Sequence, residues 1–305
     1  MRVVLKVLLW LVVGLFGLVL IGATAIFALS EYKLRKTYDV AMAPVAIPDD
    51  PESIERGHHL ATTWAACTLC HGDQLEGMIL FEGPEGTVVS PNLTPGDGGV
   101  GAFYRDEDWV RVIRHGVKPS GRSTVVMPET LNILSDEELG AIIAYVKTIP
   151  PVDNVLPNTS LAPFGRLGLA LGLLSTTAEL IDHKAPRPPA PEPGPTPEYG
   201  EHIAHGPCVL CHGTDFAGGV RPRGSEVEFD PSEPVPRNLT PAGNLGTWTE
   251  EDFFRALRTG VTPSGDRLDP DAMPWPYFSP LTDDELRALW LFLQSLPPAE
   301  PPPAD

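Results

Sequence analysis

The chain of 305 residues is long enough for two domains of ordinary size, and its 42% hydrophobic content supports packed cores. Its formal net charge of -18 counts against nucleic-acid binding, because a phosphate backbone is bound by clustered lysine and arginine. The charge is unevenly distributed: residues 1–36 carry a net +4, so the rest of the chain carries -22. The first 36 residues are therefore of a different character from the remainder.

The chain opens with a candidate membrane anchor. Residues 7–29 form an uncharged, mostly aliphatic run of 23 positions, about the length that crosses the hydrocarbon core of a bilayer as a helix. A cleaved signal peptide is the alternative, because Ala23-Thr24-Ala25 resembles a small-residue cleavage site. The apolar run continues past that site to Leu29, which favours an anchor over residues 1–36.

Three other segments stand apart from the predicted domains. Residues 167–174 form a second apolar stretch, too short to span a membrane, which we expect to be a docking helix or an interfacial segment. Seven of the twelve residues from 186 to 197 are proline, which predicts a stiff linker and a domain boundary within the interdomain segment 153–196. The proline-rich tail 299–305 should carry no regular structure.

The chain contains two copies of one pattern in the same order. The repeated elements are Cys67–His71 with Cys208–His212, Asn92–Pro95 with Asn238–Pro241, Gly116–Gly121 with Gly260–Gly265, and Met127-Pro128 with Met273-Pro274. Ordered matches of this kind indicate a duplicated domain of about 100 residues. We place the two copies at residues 50–152 and 197–298.

Each copy is predicted to be mainly helical. Asp50 and Thr196 each precede a proline, the pattern of a helix N-cap followed by the first helical position. Middle helices are expected at residues 107–115 and 251–259. The last helix of each copy begins with a capping box, Ser135 with Glu138 and Thr282 with Glu285. Because neither copy shows a convincing alternating strand pattern, the predicted fold class is all-α.

All four cysteines lie in two Cys-x-x-Cys-His clusters. This is the attachment signature of a c-type haem, in which two thiols bind the porphyrin and the adjacent histidine ligates the iron. A zinc site, a thioredoxin-like redox pair and two local disulfides are the alternatives for a bare Cys-x-x-Cys. The histidine that follows in both copies favours haem. The sequence therefore predicts two covalently bound haem c groups, held by Cys67, Cys70, Cys208 and Cys211.

The iron ligands are predicted to be one histidine and one methionine in each copy. His71 and His212 would be the proximal ligands, and Met127 and Met273 recur 56 and 61 residues after them. Core filling is the other role for these methionines. A thioether ligand favours ferrous iron, so it should raise the reduction potential relative to two histidines. The aligned His59 and His202 lie on the helices that lead into the clusters, where we expect them to pack.

With these motifs assembled, each half resembles a class I cytochrome c domain, and the chain is similar to the dihaem and multihaem cytochrome subunits of membrane-bound alcohol or gluconate dehydrogenases. The resemblance covers about residues 52–298 and includes Ile181-Asp182-His183 before the linker. It implies that the carbonyl of Pro91, or of Arg237 in the second copy, accepts a hydrogen bond from the proximal histidine. It also implies a close crossing of first and last helices. That crossing would join Gly57 with Tyr145, and Gly200 with Phe292.

The chain departs from these subunits in two respects. They typically carry three haems, whereas this chain has two attachment clusters. Their anchor is commonly at the C-terminus or missing, whereas here an apolar run begins the chain.

Two irons with His/Met ligation would leave no open coordination position, so we expect an electron carrier without catalysis of its own. It would pass single electrons between a dehydrogenase or quinol oxidoreductase and a downstream acceptor or terminal oxidase of a respiratory chain. Because haem is attached outside the cytoplasmic membrane in this family, the single-pass anchor would hold both haem domains in the periplasm. The alternative is a dihaem peroxidase or thiosulfate-oxidising enzyme with one exchangeable iron ligand, and a haem-less structural or metal-binding module is a third possibility.

The acidic surface has two interpretations. Ordinary solvation is one, and steering of a basic redox partner is the other. The densest acidic stretch runs from Glu226 to Glu233.

Overall fold

The computed structural model describes residues 2–187, 189–219 and 235–300. The acidic stretch Glu226–Glu233 and residues 301–305 of the predicted tail lie outside them. The helices are α1 Arg2–Arg35, α2 Pro51–Thr62, α3 Cys67–His71, α4 Asp106–His115, α5 Asp136–Thr148, α6 Pro163–Leu171, α7 Thr177–Leu180, α8 Pro197–Ala204, α9 Val209–His212, α10 Glu250–Thr259, α11 Trp275–Phe278 and α12 Asp283–Ser295. The strands are β1 Met78–Gly83, β2 Gly86–Ser90 and β3 Ser160–Leu161, and 3-10 turns cover Glu129–Ile133 and Asn244–Thr247.

The first helical unit, residues 51–148, is built on the crossing of α2 and α5. The Asp50 side chain caps α2 by accepting from the Ser53 amide at 2.9 Å. At the crossing, a Cβ on Gly57 would lie 1.9 Å from the carbonyl oxygen of Ala141, so only glycine allows this approach. The crossing is therefore one turn earlier on α5 than Tyr145, whose ring packs on His58 instead.

The second helical unit, residues 197–295, uses the same construction in α8 and α12. Thr196 caps α8 through the Tyr199 amide, and a Cβ on Gly200 would lie 2.0 Å from the carbonyl oxygen of Ala288. The crossing again lies one turn before the expected partner, because the Phe292 ring packs against Phe216. Both predicted capping boxes are present, and both middle helices form at α4 and α10.

The mainly helical class is confirmed, but the expectation that strands are lacking is wrong for residues 78–90. β1 and β2 form an antiparallel hairpin, and β3 adds a short third strand at Gly86 and Thr87. The sequence pattern missed the hairpin because β1 does not alternate between a buried and an exposed face: most of its side chains are exposed, and its pairing is irregular between Ile79 and Phe81.

The segment between the two units docks on the end of α1. The apolar stretch predicted to dock forms part of α6, which packs against α1. Arg166 on α6 donates from Nη1 to the Ser30 hydroxyl and to the Glu31 carboxylate, both at 3.0 Å. Among the described residues, α1 is the one helix long and apolar enough to cross a membrane, and a signal sequence would pass the same test.

Two reciprocal histidine–glutamate contacts join the helical units. His59 of α2 lies 2.9 Å from Glu285 of α12, and His202 of α8 lies 2.9 Å from Glu138 of α5. In each contact the glutamate also accepts the N-cap amide of its own capping box, from Thr282 or Ser135. These histidines were expected only to pack. Instead each reaches into the other unit, so the duplicated motifs place the contact twice.

The charges of these side chains are coupled across the interface. The hydrogen bond with Glu285 raises the pKa of His59 despite desolvation. Desolvation favours the neutral carboxylic acids, but the hydrogen bonds from His59 and Thr282 outweigh it and lower the pKa of Glu285. The hydrogen bonds from His202 and Ser135, together with the positive charge of Arg56, likewise outweigh desolvation and lower the pKa of Glu138. At neutral pH both carboxylates are therefore ionised.

We expect the interface to be most stable between the ordinary glutamate pKa of 4.5 and the ordinary histidine pKa of 6.5. A carboxylate with a lowered pKa loses its contribution as pH falls through the folded-state value, and a histidine with a raised pKa loses its own as pH rises through that value. Thermal unfolding of the haem-loaded protein measured across pH should show this maximum.

Replacing His202, whose side chain is 7% exposed, should destabilise the protein more than replacing the 29%-exposed His59. We expect His202→Ala to cost about 1.5–3 kcal/mol, the usual range for a hydrogen bond to a charged group. His58→Ala is the matched control, because the contacts of the His58 side chain with Glu55 and Tyr145 lie within its own unit, and it should cost under about 0.5 kcal/mol. Equal losses in His58→Ala and His202→Ala would contradict a role for the reciprocal contacts.

Candidate functional site

Each Cys-x-x-Cys-His cluster forms a single helical turn that ends at a glycine. α3 begins after Ala66, which has a positive φ of 49°, and is followed by Gly72 at φ 82°. α9 is followed by Gly213 at φ 78°. A left-handed residue directly after the histidine stops the helix and turns the chain away. The two clusters therefore present two thiols and one imidazole in the same local geometry.

A backbone carbonyl holds each cluster histidine. His71 Nδ1 donates to the carbonyl oxygen of Pro91 at 2.9 Å, and His212 Nδ1 donates to that of Arg237 at 2.7 Å. The hydrogen bond expected at the Pro91 carbonyl is thus present. The backbone carbonyl of Arg237 accepts the equivalent bond in the second unit, although its side chain differs from that of proline. Because Nδ1 is occupied, Nε2 is the nitrogen left for a metal.

The repeated Asn-Leu-Thr-Pro motif fixes the loop that carries this carbonyl. Asn92 Oδ1 accepts from the Thr94 amide at 2.9 Å, while its Nδ2 donates to the carbonyl of Val152 at 2.7 Å. Asn238 makes the same pair of bonds, to the Thr240 amide at 2.8 Å and to the carbonyl of Ala299 at 2.6 Å. The asparagine therefore ties the histidine-binding loop to the segment after the last helix in both units.

The directions in which the pKa values of the cluster side chains are shifted suit metal binding better than thiol redox chemistry. Desolvation lowers the pKa of His71 and His212 although the carbonyl bonds oppose it, so the imidazoles are neutral and able to bind iron. Desolvation also raises the pKa of Cys67 and Cys208 to about 12. A thioredoxin-like pair needs the opposite shift, a lowered thiol pKa.

The arrangement of the cysteines and their neighbours also argues against the two alternatives of local disulfides and a zinc site. All four cysteines are free thiols, which does not match two local disulfides. Within residues 2–187, 189–219 and 235–300, no group of three or more His, Cys, Asp and Glu side chains is placed to hold a metal ion. Each cluster therefore offers an imidazole with a free Nε2 and two uncharged thiols, which suit covalent haem attachment.

The predicted distal methionines pack on the large hydrophobic core that extends over both units. Met127 and Met273 are half-buried against the core that also contacts Cys67 and Cys208. The other half-buried side chains on this core include Leu93, Val100 and Tyr104 in the first unit and Leu239 and Trp248 in the second. Apolar side chains of this kind suit a porphyrin surface, so the residues present are compatible with haem in both units.

A histidine pair that joins the first unit to the segment between the units was not predicted from the sequence. His183, from the Ile181-Asp182-His183 motif, donates from Nε2 to the carbonyl of Ala178, and its Nδ1 accepts from His115 Nδ1 at 3.1 Å. His115 Nε2 in turn accepts from Arg187 at 3.2 Å. Desolvation, aided by the nearby His183 and Arg187, lowers the pKa of His115 to about 4, so the network contains a neutral imidazole.

The network attaches the segment after β3 to the end of α4, and a separate bond attaches the same segment to the loop that carries Met127, the methionine loop. Thr177, beside it, donates from Oγ1 to the carbonyl of Met127 at 2.8 Å. Residues that are far apart in the sequence and meet only in the fold leave no periodic pattern in the sequence. The motif Ile181-Asp182-His183 was the one sequence feature that could have pointed to His183.

Comparison with known proteins agrees with this geometry. Residues 52–146 match the family described as cytochrome C oxidase, cbb3-type, subunit III. The matched range begins in α2 and ends in α5, so it covers the first cluster, the Asn-Leu-Thr-Pro loop and Met127.

Several curated proteins are similar over most of the chain. The cytochrome c subunit of alcohol dehydrogenase (quinone) from Gluconacetobacter polyoxogenes is 28% identical, covering 88% of this chain and 63% of that protein. The fructose dehydrogenase cytochrome subunit of Gluconobacter japonicus is 28% identical, covering 80% and 53%. The gluconate 2-dehydrogenase cytochrome c subunit of Pantoea cypripedii is 26% identical, covering 82% and 62%. The chain thus spans between about half and two thirds of the length of these relatives.

Residues 52–146 are therefore similar to a cytochrome c domain, the class of domain that carries covalently bound haem c and transfers electrons. The chain is similar to the cytochrome c subunits of alcohol, fructose and gluconate dehydrogenases, and the resemblance read from its motifs is confirmed.

Removing one pair of cluster thiols should remove one haem. We expect Cys67→Ala with Cys70→Ala to halve the covalent haem per chain, and Cys208→Ala with Cys211→Ala to do the same, because each Cys-x-x-Cys-His cluster matches the attachment signature of one haem c. Intact-mass measurement and haem staining of denatured protein check this. Unchanged covalent haem in either double variant would contradict the assignment.

Proposed function

We propose that the protein is a membrane-anchored dihaem cytochrome c that passes single electrons between a dehydrogenase or quinol oxidoreductase and a downstream acceptor. The observation that supports it is the doubled donor set: a carbonyl-held histidine with free Nε2 beside two thiols, in each unit. The two copies of the domain, at residues 50–152 and 197–298, would each hold one haem.

Within each unit, each of these residues would have a distinct role in binding the haem. Cys67 and Cys70, or Cys208 and Cys211, would hold the porphyrin by thioethers. His71 and His212 would ligate the iron, kept in orientation by the carbonyls of Pro91 and Arg237. The bound haem would supply reversible one-electron exchange at its iron.

Met127 and Met273 would complete the two iron sites. Both are half-buried, and the backbone of each is held, Met127 by Thr177 and Met273 through its amide to the Asp269 carbonyl at 2.8 Å. A sulfur ligand on each iron would close both sites to substrate, so the protein would carry electrons without catalysis of its own.

The anchor and the compartment follow from α1. Its 34 residues include an 18-residue window of mean hydropathy 2.7, none of it buried inside the protein. We propose that α1 spans the cytoplasmic membrane once and that both haem units lie on the periplasmic side. The relatives, as cytochrome subunits of dehydrogenases, support a dehydrogenase as electron donor. A terminal oxidase or other respiratory-chain component would be the acceptor.

Replacing one methionine by histidine should change one haem selectively. We expect Met127→His to remove half of the sulfur-to-iron charge-transfer absorption and to lower one of two reduction potentials on the order of 0.1 V, a part of the range of about 0.8 V that axial ligands span. Met273→His should act on the other haem. Met78→Leu is the matched control, because Met78 is exposed and has no counterpart in the second unit. Optical spectra and redox titration measure both effects.

The competing proposal is a dihaem enzyme with one exchangeable iron ligand, of the peroxidase or thiosulfate-oxidising type. A high-spin haem fraction that binds cyanide or peroxide in the unmodified protein would support that enzyme and overturn the carrier. Co-purification from detergent-solubilised membranes identifies the donor: the carrier should bring a dehydrogenase whose substrate reduces both haems.

A further inference from the structure

The helix α6 carries an apolar face that no part of the described chain covers. Phe164 and Leu171, seven residues apart and so on one helix face, are 61% and 65% exposed. Leu173, just after the helix, is 62% exposed. The sides of α6 that carry Gly165 and Leu169 are closely packed, because a Cβ on Gly165 would lie 2.3 Å from the carbonyl oxygen of Glu85 and Leu169 is buried. The orientation of α6 is therefore fixed by the protein, with Phe164 and Leu171 outward.

The position of α6 along α1 indicates what covers this face. Arg166 bonds to Ser30 and Glu31, directly after the last residue of the apolar run, and its guanidinium lies 4.6 Å from the ring centroid of Phe27 within that run. One helical turn rises about 5.4 Å, so these contacts lie within a turn of the point where α1 changes from apolar to polar. A helix at this level with one apolar face suits the boundary between headgroups and acyl chains.

The charge beside α6 also suits a position at the membrane surface. A cavity of about 240 Å³ lies between α1, β3 and α6, and its lining includes three arginines, Arg35, Arg122 and Arg166, with Glu31 as the one acidic side chain. Glu31 pairs with Arg35 and Arg166, so the group keeps a surplus of positive charge in a protein of net charge -18. Basic side chains at a membrane surface attract anionic lipid headgroups.

We infer that α6 lies in the headgroup region of the membrane, with Phe164, Leu171 and Leu173 at the acyl boundary and the arginine-lined cavity receiving the phosphate of an anionic phospholipid. The inference rests on the proposed spanning role of α1. It adds a second membrane contact, which would fix the tilt of the first helical unit relative to the bilayer.

Spin labels in the complete, haem-loaded protein in nanodiscs test the depth of α6. The four native cysteines belong to the haem clusters, so Leu171→Cys supplies a single labelling site. Thr24→Cys in α1 is the reference for lipid, and Ser295→Cys at the end of α12, exposed on the second unit, is the reference for water. The label at 171 should be accessible to oxygen and shielded from a water-soluble nickel chelate, as the label at 24 should be.

The outcomes separate the two proposals. A label at 171 that behaves like the one at 295, while the label at 24 is in lipid, overturns the position of α6 and leaves the anchor standing. Labels at both 24 and 171 in water overturn the anchor and the inference together. Spin–spin broadening at 171 would show a second copy of the chain on this face and would also overturn it.

Phospholipid retention in native mass spectrometry tests the arginine cavity. We expect Arg122→Gln to reduce retention of phosphatidylglycerol relative to phosphatidylcholine about fivefold, the ratio that corresponds to about 1 kcal/mol per basic residue near an anionic surface. Arg267→Gln, an exposed arginine in the corresponding loop of the second unit, is the control and should have no effect. Displacement of the lipid by millimolar inorganic phosphate, or equal loss in both variants, would overturn the lipid assignment.

Discussion

The arrangement of the two helical units depends on the pair of histidine–glutamate hydrogen bonds between them. Each glutamate is the third residue of its helix, where it already accepts its own N-cap amide, so its carboxylate is held in place before the histidine meets it. Each histidine lies on the first helix of its unit, opposite that capping box. A duplicated domain that carries both groups can therefore pair with its copy twice through a single type of contact, and neither carboxylate is buried without partners.

The interface also brings the starts of the two clusters together. Trp64, three residues before Cys67, is buried, with its ring edge on His202 at a centroid distance of 5.4 Å. A Cβ on Gly206, two residues before Cys208, would lie 3.1 Å from the Trp64 ring. The segments that lead into the two Cys-x-x-Cys-His clusters are therefore packed against each other, so the same contacts that join the units set the relative position of the two clusters.

Much of this could be predicted from the sequence, because the groups involved recur at fixed spacing. The caps at Asp50 and Thr196 and both capping boxes are local, and a local signal is complete within a few residues. The bond to the Pro91 carbonyl spans 20 residues and was expected from the family resemblance. The hairpin at residues 78–90 was missed because β1 is mostly exposed and lacks an alternating pattern. The partners of His59 and His202 were missed for a different reason: they lie 226 and 64 residues away, and alignment of the halves shows equivalence but not contact.

These contacts form a continuous rigid path from α1 to the second unit. Arg166 joins α6 to α1, the pairing of β3 with β2 ties the same segment to the first unit, and the Thr177 bond to the Met127 carbonyl attaches it to the methionine loop. The histidine–glutamate contacts then carry the orientation onward to the second unit. Each step is a hydrogen bond or ion pair between packed elements, and the stiff proline-rich linker adds a covalent connection between the units. The direction in which each Cys-x-x-Cys-His cluster faces relative to α1 is thus set by side-chain contacts together with the linker.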